Sequence, residues 1–146
     1  MYEEQAFRQF EYLIQFLQEN SYVHYEISNF AKPDSFARHN ANYWKGISYL
    51  GIGPSAHSFD GESRQWNIAN NPKYLRSLQQ GQLAFEREIL SVEERYNEYV
   101  MTSLRTIWGC DLGKIRTFGK EYEEYFVKTV QPFLADGKVL KKEENY

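Results

Sequence analysis

The sequence predicts a mixed chain, α+β or α/β in class: a helix–strand unit at the start and a separate helical unit at the end. Three observations carry this. Ala6, Phe10, Leu13, Ile14 and Leu17 recur at helical spacing, with Glu3, Glu4, Arg8, Glu11 and Gln15 largely on the other side. Residues 22–29 then alternate like a strand, with Val23, Tyr25 and Ile27 pointing one way and His24, Glu26 and Ser28 the other. From about residue 84 onward, helix caps and helical stripes dominate.

A helix running straight into a strand suggests the last helix–strand unit of an α/β barrel or sheet, whose polar strand face lines a lumen. An antiparallel strand with one solvated face fits the same pattern. Residues 30–45 are irregular, and a second strand is expected over 47–52, leaving through the glycine turn Gly51-Ile52-Gly53-Pro54. Residues 61–71 read as a polar loop. Pro72 opens a short helix carrying Tyr74, Leu75 and Leu78, closed by Gly81.

Ser91 with Glu94 three positions on forms a capping box, and Val92, Tyr96, Tyr99, Val100, Leu104 and Ile107 form the buried stripe behind it. Asp111 is placed to cap a short helix with Leu112, Ile115 and Phe118 on one side. A further helix carries Tyr122, Tyr125, Phe126, Val130 and Phe133, kinked or shortened at Pro132 and ending near Gly137. Lys138-Val139-Leu140 reads as the opening of a strand with no partner, and Lys141 to Glu144 as a solvated tail. An orphan strand at one end and a helix without its preceding strand at the other predict a piece of a larger protein.

Composition narrows the classes. Aromatic residues make up 17% of the 146, so much of any core is aromatic. The net charge of −3 argues against a general affinity for nucleic acid or an anionic membrane. No apolar run approaches the roughly 20 residues that span a bilayer, and the start lacks the order of a signal peptide. With one cysteine, Cys110, there is no intramolecular disulfide and no thiolate set for an iron–sulfur cluster. The expectation is a cytoplasmic chain. Cys110 reads as a small buried residue, with an activated thiolate near a helix start as the alternative.

The chemistry-bearing stretch is residues 25–57. His39-Asn40-Ala41-Asn42-Tyr43-Trp44 combines an imidazole, a common haem iron ligand, with two flat aromatic faces, and Arg38 and Lys45 flank it with charge for carboxylates. His39 is the iron candidate; equally, it could cap a loop while Tyr43 and Trp44 plug the end of a barrel. Gly51 and Gly53 would let backbone approach a ligand closely, or serve a turn needing positive φ. Ala56 and His57 close that segment, and His57 is a second ligand candidate or a hydrogen-bonding lid residue.

Three blocks in order, Tyr25 to Ala31, His39 to Trp44 and Gly51 to His57, closely resemble HemW-type proteins, relatives of the oxygen-independent coproporphyrinogen III oxidases. The resemblance implies a radical S-adenosylmethionine (SAM) fold. Residues 1–60 would end its partial α/β barrel, 61–83 would be a linker and short helix, and 84–146 a helical, winged-helix-like C-terminal domain truncated at the wing. It also implies a parent with a four-iron cluster (4Fe-4S), SAM and haem, which passes haem to acceptor proteins. Cofactor contacts are then expected from His39, Asn40, Tyr43, Trp44, Gly51, Gly53, Ala56 and His57. This chain matches no cluster ligand, so alone it should start no radical chemistry and no catalytic residue is assigned. The competing activity is that of the oxidase, which converts propionates to vinyl groups. A winged-helix nucleic-acid role is disfavoured because residues 86–146 hold ten Lys/Arg against twelve Asp/Glu.

Overall fold

The computed structural model describes residues 2–146. The chain is α+β, with two small antiparallel sheets and no closed barrel among the described residues. Helix α1 (Tyr2–Glu19) forms as its periodicity predicts, and it packs near strand β1 (Val23–Glu26). None of its residues is buried, and Phe7, Leu13 and Phe16 stay exposed.

The expected strand over 22–29 is in fact a hairpin. β1 turns at Ile27 and Ser28 into β2 (Asn29–Ala31), pairing Val23 with Ala31 and His24 with Phe30. Among the described residues this pairing is antiparallel. Glu26 does not face a lumen; it is 4% exposed because it turns onto Arg105, across the hairpin's contact with the helical unit. Backbone reinforces that contact: Ile27 N–H donates to the Arg105 carbonyl and Ile107 N–H to the Tyr25 carbonyl.

Within the irregular stretch lies helix α2 (Arg38–Trp44). The expected strand over 47–52 reduces to one bridge, Tyr49 with Phe59, because the glycine turn bends the chain away after it. The chain then builds a three-stranded sheet from β3 (His57–Phe59), β4 (Ser63–Asn67) and, beyond helix α3 (Asn71–Gln79), β5 (Phe85–Ile89). Both β4, in the expected polar loop, and β5 depart from the sequence reading. Their cause is the turn at Asp60, whose carboxylate accepts from the backbone N–H of Glu62 and Ser63 and the Ser63 hydroxyl. Arg87 ties β5 to the same turn through Ser63 and Asp60.

The helical unit follows the caps. Helix α4 (Val92–Ser103) begins at a complete Ser91/Glu94 capping box, and it stops before Leu104 and Ile107, which are exposed. Asp111 caps α5 (Leu112–Arg116). Helix α6 (Lys120–Ala135) runs through Pro132 for a last partial turn, because a proline this near the C-terminus forfeits only one interior N–H.

The core lies here, in Tyr96, Cys110, Leu112, Ile115, Phe126, Val130 and Tyr146. No strand forms at 138–140; instead Val139 packs against the core and the last residues return along Cys110. Cys110 N–H donates to Tyr146 O at 2.7 Å and Tyr146 N–H to Cys110 O at 2.9 Å. Gly109 makes that return possible: its φ is +65°, and a Cβ there would stand 2.4 Å from Tyr146 O.

Candidate functional site

The site begins at Tyr25. Its ring is 2% exposed, packs on Phe36 at 4.7 Å, and its hydroxyl accepts from Ala37 N–H, which holds the start of α2. Ala41 buries the inner side of that helix. His39 and Tyr43, four apart, therefore share an outer face. Both line an open cleft of about 930 Å³.

The opposite wall is the glycine turn and the sheet. Gly51, Ala56 and His57 line it, together with Arg64 and Trp66 of β4. His57 and Trp66 are cross-strand partners with rings 6.1 Å apart. The turn is fixed from behind: buried Asn67 donates to the Gly51 and Gly53 carbonyls, and Gly53 N–H donates to the Tyr74 hydroxyl. Gly53 has φ +110°, so it meets the turn's need for positive φ. Gly51 has another reason to be glycine. A Cβ there would meet the His57 carbonyl oxygen at 2.1 Å, so its missing side chain admits backbone.

Of the eight residues singled out from sequence, His39, Tyr43, Gly51, Ala56 and His57 come together on the cleft. Asn40 is exposed and Gly53 lies within the turn; neither lines the cleft. Trp44 points inward, edge-on to Tyr25 at 5.9 Å, and borders a second cavity beside α4. Lys45 lies over the Trp108 ring at 4.2 Å. Sequence reading missed Tyr49, Arg64, Trp66, Asn67 and Tyr74. The available signal was Arg64 and Trp66 two apart in an otherwise polar run, the spacing of one strand face.

The charged side chains on the cleft are Arg64 and Glu88. Arg64 is in direct contact with Glu98. Burial works against its charge, but the hydrogen bond and charge of Glu98 outweigh it and raise its pKa. Burial, with Tyr43 beside it, pushes the Tyr49 phenol up, so that hydroxyl stays neutral. Cys110 is fully buried, its thiol pushed up to about 12 chiefly by desolvation. Burial therefore keeps it a thiol at neutral pH. Among the described residues, no three His, Cys, Asp or Glu side chains gather as a metal-binding group.

A haem fits the cleft's chemistry better than a cluster does. Two exposed imidazoles, flat aromatic faces and a guanidinium border one open space, the donor set that iron, porphyrin and propionates require.

The fold has a solved counterpart. It matches part of a solved radical SAM enzyme, the coproporphyrinogen III oxidase HemN of Escherichia coli, with TM-score 0.65 and 22% identity over 92% of this chain and 35% of that one. Among curated proteins, the heme chaperone HemW of Mycobacterium tuberculosis is 32% identical over 116 residues, 77% of this chain and 27% of the relative. That of Bacillus subtilis is 24% identical over 143 residues, 97% of this chain and 38% of the relative. No family model matches. The chain belongs to the HemW-type branch of the coproporphyrinogen oxidase-like radical SAM family. It spans between 27% and 38% of the length of these HemW relatives.

Proposed function

We propose that the chain is part of a HemW-like radical SAM protein and that its open cleft binds haem for delivery to acceptor proteins. One observation carries this: His39, Tyr43, His57 and Trp66 converge on a single open cleft in a chain whose relatives are named heme chaperones. His39 is the assigned iron ligand, with His57 across the cleft as the second candidate. Tyr43 and Trp66 offer flat faces to the macrocycle, and Arg64 offers charge to a propionate. What haem supplies when bound is its iron centre; the chain's residues hold and orient it. An open cleft suits hand-over, because a bound haem keeps an edge accessible to an acceptor.

In the parent we assign residues 1–60 to the end of the barrel, 61–83 to a linker and short helix, and 84–146 to the C-terminal helical domain. The cluster would take its thiolates from elsewhere in the parent, since this chain holds one cysteine.

Titrating the purified chain with haem is expected to give a saturable Soret shift, weakened about 10–100-fold in His39→Ala. Unchanged spectra and affinity in both His39→Ala and His57→Ala would rule the assignment out. Coproporphyrinogen III oxidation by the parent is the second reading, kept because the solved protein sharing this fold carries that name. Supplying the reconstituted parent with coproporphyrinogen III and assaying for vinyl product separates the two.

A further inference from the structure

A second cavity, of about 240 Å³, lies between α2 with its following loop and helices α4 and α5. It shares Tyr43, Tyr49 and Arg64 with the open cleft, so the two spaces meet across those side chains. Trp44, Phe59, Tyr99 and Phe118 add further aromatic faces to its lining, among polar and charged side chains. The charges are one-sided: Lys45, Arg64, Arg95 and Lys114 against one carboxylate, Glu98.

Those cations differ in what they already hold. Arg64 has Glu98, and Lys45 lies over Trp108. Lys114 stands 5.7 Å from the centre of the Phe118 ring. Arg95 is the exception. Its Nε is buried and has no hydrogen-bond partner among the described residues. Its nearest carboxylate, Glu62, is 4.0 Å from another nitrogen and 80% exposed, a loose surface pairing. Arg95 thus lines the cavity with a guanidinium that is only loosely paired, among more cations than carboxylates. Its planar fork suits a carboxylate, and the aromatic faces suit the aliphatic arm that carries one.

We infer that this cavity is a carboxylate pocket that takes a propionate arm of the tetrapyrrole in the adjoining cleft, with Arg95 as its charge partner. The inference rests on the haem reading above and adds to it an orientation: the propionate edge points towards α4, past Tyr43 and Tyr49.

The test titrates the chain with haem and with haem dimethyl ester, in which both carboxylates are masked, following the Soret band. Wild type is expected to bind the diester at least about tenfold more weakly, the scale of one charge-assisted hydrogen bond. Arg95→Gln should remove most of that discrimination, leaving the share of Arg64, with diester affinity unchanged, and Arg95→Lys should keep most of it. Equal affinity for the two ligands in wild type, or full discrimination surviving in Arg95→Gln, overturns the pocket and leaves the haem site standing. A variant weakened equally towards both makes Arg95 a structural residue and also overturns the assignment. No Soret shift with either compound removes the haem reading, and this inference with it.

Discussion

At position 51 there is no room for a side chain. A Cβ would sit within 3 Å of three backbone atoms of His57, the residue facing the cleft from the turn. Gly51→Ala is therefore expected to lower stability by about 1–3 kcal/mol, read as a fall in the urea midpoint, because the displaced neighbour is backbone and cannot rotate away. It should also blunt the haem-induced Soret shift by moving His57. Sequence reading found this glycine and left a ligand or a turn as its reason; the close backbone of His57 is a partner that no local pattern announces. Trp44 is a second case: its residue type left a porphyrin face and a plug both open, and α2 turns it onto Tyr25.

Helix ends were the most legible elements, because a cap is a short-range interaction written within four residues. Ser91 accepts from Glu94 N–H at 3.2 Å while Glu94 accepts from Ser91 N–H at 2.8 Å. Ser91→Ala should cost about 1 kcal/mol, measured as a lowered urea midpoint with an unchanged m-value. The short strands were illegible for the converse reason. Ser63–Asn67 and Phe85–Ile89 show no apolar alternation, and every residue of the latter is exposed. Their pairing depends on the Asp60 turn and on Arg87 reaching back to it from a distant segment. That carboxylate lies at about pKa 2, held down by the backbone and hydroxyl donors it accepts from.

Across the whole molecule, one ion pair links the first hairpin to the helical unit. Glu26 accepts from Arg105 at 3.1 and 3.3 Å and from Ser28 and Asn29. Burial alone would raise its pKa, but these hydrogen bonds together outweigh burial and lower it. A carboxylate depressed in the folded state contributes stability above its unfolded pKa of about 4.5 and loses it as pH falls through the folded value. Urea midpoints from pH 7 down to pH 3 should therefore fall less steeply in Glu26→Gln than in wild type. Asp60, Glu94 and Glu123 are depressed as well, so the difference between the two proteins, not the wild-type slope, reports Glu26. Parallel slopes would show that the pair adds nothing.

By itself the sequence determined the caps, the helical stripes, the aromatic core and the three blocks that mark the family, because each depends on residues close along the chain. Tertiary structure alone decided that Glu26 meets Arg105 and that Gly51 yields to His57. It also decided that Arg64 and Trp66 join His39 and Tyr43 around one cleft. Those meetings bring together segments far apart in sequence, through backbone pairing and close packing that residue types do not encode locally.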